Sequence, residues 1–199
     1  MDYSIGSAQA DRVGASVSPS IWFRWRVREP ATMDKVSTTK DCSEPMTLAD
    51  LIAPKAVITA LKAKSKKHVL EDLAAKAAKL ENLPAREIFE ALLQRERLGS
   101  TGVGRGIAIP HCRHASVLRL ACIFARLEEP IPFDSLDGEP VDLVFLLLAP
   151  EDAGADHLKA LARISRLMRE PRTILQLRAA KDQASLYAVL TQPIASNAA

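Results

Sequence analysis

Residues 95–114 read R-E-R-L-G-S-T-G-V-G-R-G-I-A-I-P-H-C-R-H. Gly99, Gly102, Gly104 and Gly106 are half of the chain's eight glycines, and Ser100 and Thr101 sit among them. Glycine takes positive φ at no steric cost and lets the backbone approach a ligand closely. Successive N–H groups in such a loop can form a concave anion site. The short apolar run Ile107-Ala108-Ile109 then leads through Pro110 to His111. An imidazole beside an anion site can take up a phosphoryl group and pass it on. Two nucleotide motifs are excluded. A P-loop needs a lysine and a hydroxyl residue directly after its second glycine, but Arg105 and Gly106 follow Gly104. The dinucleotide fingerprint G-x-G-x-x-G fails because Gly102, Gly104 and Gly106 strictly alternate. Taken alone, the loop is also readable as a glycine-rich turn joining a helix to a strand.

The flanks support that helix and that strand. Upstream, Ile88, Phe89, Leu92 and Leu93 give one apolar face to a helix that Pro84 opens. It ends near Leu98, with Gly99 as the residue beyond the cap. Arg95 and Arg97 fall in its last turn, where cations suit the helix dipole. Before it, Leu70, Leu73, Ala77 and Leu80 predict a helix over 66–81, preceded by a short helical turn at 47–52 and a strand at 56–58. Downstream, 107–109, 118–127 and 141–148 read as strands. The last is almost wholly apolar, as a central strand covered on both faces should be. Residues 133–138 are turn chemistry. A helix over 155–169 carries His157, Leu161, Ile164 and Met168 on one stripe, Pro171 starts another, and Asp182 caps a last one over 183–190. This order predicts an α/β three-layer sandwich, a small mixed β-sheet flanked by helices.

Composition bounds the functional class. The chain has 199 residues, 48% hydrophobic and 26% charged, the proportions of a globular protein. A net charge of +3 is too small to argue for nucleic acid. The apolar run 143–150 is far shorter than the roughly 20 residues of a membrane span. Neither nucleic acid nor membrane insertion is expected. Cys42, Cys112 and Cys122 make no disulfide framework, which points to a reducing, cytoplasmic compartment. Residues 1–45 lack a period of 2 or 3.6, apart from the apolar and basic cluster at 21–28 that holds both tryptophans. They read as an N-terminal extension, either disordered or translated from a misassigned start; a docking arm is the alternative. Residues 193–199 read as a C-terminal tail.

The stretch L-G-S-T-G-V-G-R-G-I-A-I-P-H, residues 98–111, resembles the active-site signature of the enzyme IIA components of the bacterial phosphotransferase system. It is most similar to the mannitol/fructose and nitrogen-regulatory type. The likeness extends over 46–192, from M-T-L-A-D-L-I, through P-I-P-F-D-S-L-D-G-E-P-V-D-L-V-F-L-L-L-A-P, to H-L-K-A-L-A-R-I-S-R-L. It implies a phosphotransferase/anion-transport-type fold and a phosphoacceptor domain over 46–192. It further implies phosphohistidine formation on His111, with an HPr-like phosphocarrier as donor and no cofactor or metal. No transporter domain is attached in these 199 residues, which favours regulation over sugar import. Potassium transporters and sensor kinases are the kind of target implied. A binding module without transfer and a fructose or mannitol transport component are the alternatives. Monomer and weak dimer are both compatible with the sequence.

A neutral imidazole is nucleophilic near neutral pH, so His111 is the expected acceptor. By the resemblance, Arg95 supplies charge to the phosphate and His157 hydrogen-bonds it or orients His111; by sequence alone, His157 is an ordinary residue of an amphipathic helix. The N–H groups and hydroxyls of Gly99, Ser100, Thr101, Gly102 and Gly104 are expected to hold the phosphoryl oxygens. His68 reads as a surface residue without a partner. Where the family has a small residue after the acceptor, Cys112, Arg113 and His114 follow. Two rivals arise there: a metal site at His111, Cys112 and His114, short of a fourth ligand, and a redox-sensitive Cys112 with a thiol pKa lowered by Arg113. Cys122, inside a strand, is expected to be buried and inert.

Overall fold

A computed structural model describes residues 47–192 of the chain. The extension at 1–45, with its aromatic cluster, and the tail at 193–199 lie outside the described residues.

The domain opens with the helical turn α1 (Leu48–Leu51), in which Thr47 and Asp50 form a capping box. β1 (Ile52–Leu61) follows. Ser65 caps α2 (Lys66–Glu81), its hydroxyl accepting the His68 N–H, and Asn82 closes the helix in left-handed conformation. The helix buries Val69, Leu70, Leu73, Ala74 and Ala77. Pro84 is the cap of α3 (Ala85–Arg97), which buries Ile88 and Leu92, while Phe89 and Leu93 pack at the margin of the core. Then come β2 (Gly102–Gly104), β3 (Ile107–Ala108), β4 (His111–Arg113), β5 (Ala121–Ile131) and β6 (Val141–Ala149). Three helices end the domain: α4 (Gly154–Arg169), α5 (Pro171–Ala179) and α6 (Gln183–Thr191). Asp182 caps α6 through the Ser185 N–H, as the sequence predicts.

The strands form one mixed sheet in the order β1-β5-β6-β3-β2, with β4 also paired to β6. β1 is parallel to β5, and β5 is antiparallel to β6. β3 and β4 run parallel to β6 one after the other, Ile107 facing Leu143 and His111 facing Leu147. Helices flank this sheet, α2 lying on β1 and β5, α3 on β4, and α4 on β6. Helix α4 buries His157, Ala160, Ile164, Leu167 and Met168, while Leu161 is only half-buried. β6 is the heart of the core. Phe145 is fully buried, and its ring meets Phe124 of β5 at 4.8 Å. Phe145→Ala is therefore expected to cost about 3–5 kcal/mol, read as a lower urea midpoint.

Several strand boundaries differ from the sequence reading. β1 spans Ile52–Leu61 rather than 56–58 alone, and the glycine loop itself contains the short strand β2. Strand β5 starts at Ala121, because Leu118 is 92% exposed in the turn before it. The strand then continues to Ile131 past Pro130, where its register with β6 is irregular. Residues 111–113, outside every strand read from the sequence, are strand β4. Their partners on β6 lie 36 residues on in sequence, His111 facing Leu147, so no local period announces the pairing.

Candidate functional site

Three elements converge on one open depression of about 840 Å³. The last turn of α3 brings Arg95, the start of β4 brings His111, and the first turn of α4 brings His157. Side chains alternate along a strand, so His111 and Arg113 share one face of β4 while buried Cys112 takes the other. Gln94, Arg113 and Glu151 also line the depression, with Leu98 and Leu158 beside them. Sequence reasoning gave none of these five a role at the site.

The two ring nitrogens of His111 have different partners. Nδ1 lies 2.9 Å from the Ile109 carbonyl oxygen. A carbonyl only accepts, so Nδ1 carries the proton and Nε2 presents a lone pair. The Arg95 Nε–H donates to that Nε2 at 3.0 Å, and Arg95 Nη1 donates to the Gly99 carbonyl at 3.0 Å. The His157 ring lies 5.5 Å from that of His111, tilted by 52°. His157 is buried, and its Nδ1 makes no hydrogen bond within the protein.

The electrostatics favour the neutral form of both imidazoles. Burial pushes the His111 pKa down and the Arg95 charge adds to this, against the opposing pull of the Ile109 hydrogen bond and the Glu96 charge. Burial lowers the His157 pKa as well, helped by repulsion from His111 when that ring is protonated and by the Arg113 charge. With folded values below the ordinary 6.5, the unfolded chain takes up protons first as pH falls. Stability contributed by these rings is complete above about pH 6.5 and declines as pH drops through the depressed values. Urea midpoints at pH 7.5 and at pH 5 should show this loss, and a His157→Ala variant should show less of it.

Several donors of the glycine loop are engaged within the protein. The Thr101 N–H and hydroxyl both donate to the Glu96 carboxylate, at 3.0 and 2.7 Å. The Ser100 hydroxyl donates to the Phe133 carbonyl, and the Gly102 N–H to the Ser100 hydroxyl. None of 100–104 lines the depression. The glycines instead admit the 133–138 turn. A Cβ on Gly102 would lie 2.5 Å from Ser135 Oγ, and one on Gly104 (φ +92) would lie 2.8 Å from Asp137 Oδ2. Of the expected loop residues, only Gly99 touches the site, through its carbonyl.

Other readings are corrected by burial and contact. Burial pushes the Cys112 thiol up to about 12 and the Cys122 thiol likewise. The neighbouring Arg113 does not make Cys112 a reactive thiolate, because desolvation dominates. His68 is exposed but has a partner, Asp72 at 3.6 Å one turn along α2. His114 turns to Glu87 at 3.3 Å, and its Nδ1 accepts the Ser116 N–H. Among the described residues no three His, Cys, Asp or Glu side chains are arranged to hold a metal ion, and no helix is long and apolar enough to cross a membrane.

Comparison with known proteins places this geometry. The sequence model of the phosphoenolpyruvate-dependent sugar phosphotransferase system, EIIA 2, matches residues 50–192. The chain belongs to this EIIA 2 family. A nitrogen regulatory protein of Bradyrhizobium diazoefficiens is 56% identical over 153 residues, covering 77% of this chain and all of that protein. Among solved structures, nitrogen regulatory protein IIA-Ntr from Neisseria meningitidis superposes with a TM-score of 0.68 at 34% identity, over 71% of this chain and 97% of that one. The mannitol IIA enzyme of Escherichia coli, solved in complex with phosphorylated mannitol IIB, shares the fold at 18% identity and TM-score 0.61, over 70% and 98% of the two chains. The IIA domain described here is thus similar to the nitrogen-regulatory members, and its six-stranded mixed sheet flanked by helices is that of the phosphotransferase IIA structures.

Proposed function

We propose that this IIA domain accepts a phosphoryl group on Nε2 of His111 from an HPr-like phosphocarrier, and that its phosphorylation state governs its binding to regulatory targets in the cytoplasm. The observation that carries this is the split of the His111 ring. Its Nδ1 proton is fixed on the Ile109 carbonyl, and its Nε2 lone pair faces the depression's cation, Arg95. In transfer, the Nε2–phosphorus bond forms as the bond from phosphorus to the carrier breaks, in line. Arg95 then turns its donors from Nε2 to the phosphoryl oxygens, a task its planar guanidinium suits. The unpaired, buried His157 is the second group at hand for them, and Arg113 adds positive charge. No cofactor or metal takes part in this scheme.

A protein partner fits the surroundings. Leu98 and Leu158 are 85% and 66% exposed and flank the depression, the apolar component that an interface core uses. Phosphorylation adds close to two negative charges, and a partner packed on this rim would meet them at once. Similarity to proteins named as nitrogen regulatory supports a regulatory output, with potassium transporters or sensor kinases as the kind of target. The test is phosphoryl transfer. The purified chain is incubated with phosphoenolpyruvate, the first enzyme of the system and its phosphocarrier, and its intact mass is read before and after acid. One acid-labile phosphate is expected; no adduct from a competent donor sinks the reading.

A further inference from the structure

The Glu96 side chain is only 7% exposed, yet both of its carboxylate oxygens have partners. Oε1 takes the Lys66 ammonium at 2.6 Å and the Thr101 N–H at 3.0 Å; Oε2 takes the Thr101 hydroxyl at 2.7 Å. Lys66 is in turn held by the Phe133 carbonyl at 3.2 Å and by Asp134 at 3.1 Å. It is also the first residue of α2, where a cation opposes the helix dipole. Its local cost and its distant partners mean that its place is dictated by Glu96 and the 133–134 turn, not by the helix.

Two hydrogen-bonded routes lead from residue 96 to the two nitrogens of His111, one from its carboxylate and one from its backbone carbonyl. Along one, Thr101, gripped by Glu96, accepts the Ile109 N–H on its carbonyl at 2.9 Å, and the Ile109 carbonyl takes the Nδ1 proton of His111. Along the other, the Glu96 carbonyl accepts the Gly99 N–H at 3.2 Å, the Gly99 carbonyl accepts Arg95 Nη1, and Arg95 Nε–H meets His111 Nε2. Glu96 is also the residue next to Arg95. We infer that Glu96, anchored by Lys66, is a positioning residue for His111: its carboxylate holds Thr101 and, through Thr101, the Ile109 carbonyl that keeps the proton on Nδ1 and so leaves the lone pair on Nε2. Neither Glu96 nor Lys66 lines the depression, so both act only through other residues. The functional consequence rests on the phosphoacceptor reading; the ring geometry does not.

The test reads the ring and the reaction separately. The full chain is labelled with 15N at histidine, and ring nitrogen shifts are recorded for wild type and Glu96→Gln without any phosphoryl donor, with His68 and His114 as internal controls. The expected result is a single Nδ1–H tautomer of His111 in wild type and a mixture with the Nε2–H form in Glu96→Gln, the control rings unmoved. Initial phosphorylation rates should fall about 10- to 100-fold, the loss that misplacement of a reacting group by around 1 Å produces. Thr101→Val should reproduce both effects and Thr101→Ser should restore wild-type behaviour; this pair decides the question if Glu96→Gln does not fold. A folded Glu96→Gln or Thr101→Val protein whose His111 keeps one tautomer overturns the inference. If the tautomer shifts but even wild type accepts no phosphate, positioning stands and the phosphoacceptor reading falls.

Discussion

His111→Ala is expected to take up no phosphate at all from a carrier that fully labels the parent chain. The reason is that no second imidazole among the described residues can stand in for it. His114, three residues on, is engaged by Glu87 and by the Ser116 N–H. His68 lies on the exposed side of α2 beside Asp72. His157 shares the depression, but it is buried and no carbonyl fixes its tautomer. Its Nδ1 is free of any acceptor, so neither of its nitrogens is set up as a lone pair in the way Nε2 of His111 is. Intact-mass spectrometry of the alanine variant reads the outcome directly. A persistent acid-labile adduct would transfer the acceptor role to His157 and reverse the proposed order of the two histidines.

Arg95→Ala should produce the second-largest loss, and a shift of opposite sense at the ring. The guanidinium donates to Nε2 in the resting state and stands where negative charge arrives. Removing one such preorganised donor costs about 10²- to 10³-fold in rate. Arg95 is also one of the causes that hold the His111 pKa down. Taking the cation away therefore raises the pH at which His111 titrates, and the variant carries more imidazolium at a given acidic pH. Single-turnover rates, together with an NMR titration of the ring, check both parts. Arg95→Lys keeps the charge but loses the fork that reaches Nε2 and the Gly99 carbonyl together, so it should recover the titration more fully than the rate. A normal rate in Arg95→Ala would leave the phosphoryl charge to His157 and Arg113.

The contrast between loop and helix in this protein shows which parts of a sequence carry their own structure. Helix α2 is legible to the residue because its signals are local: Ser65 at the cap, leucines at helical spacing, and the residues after Glu81 unable to continue it. β6 is legible because an almost wholly apolar run is what a strand covered on both faces needs, and eight of its nine residues are buried. His111 stands out because an imidazole directly after a glycine loop and a Pro is a chemical statement in itself. The phosphotransferase IIA likeness of residues 98–111 makes that statement specific.

The glycine loop is less legible, for the opposite reason. Hydroxyls and N–H groups in a flexible stretch look available, but buried donors must find acceptors, and Glu96 and the Phe133 carbonyl are nearer than any ligand. Cys112 looks activated by Arg113 in sequence, yet strand alternation sends the two to opposite faces and desolvation decides the thiol.

The sequence by itself determined the helices, the long strands β5 and β6 and the α/β class, and it singled out His111 as the candidate acceptor, since each is signalled by neighbours within a few residues. Only the tertiary structure decided that residues 111–113 are a strand, that Arg95 and Ile109 divide the two nitrogens of one ring, and that Glu96 and Lys66 stand behind Ile109 through Thr101. Those contacts join residues from α2, α3, the loop and β4, and a hydrogen bond between distant segments exists only once the sheet has brought its partners within about 3 Å.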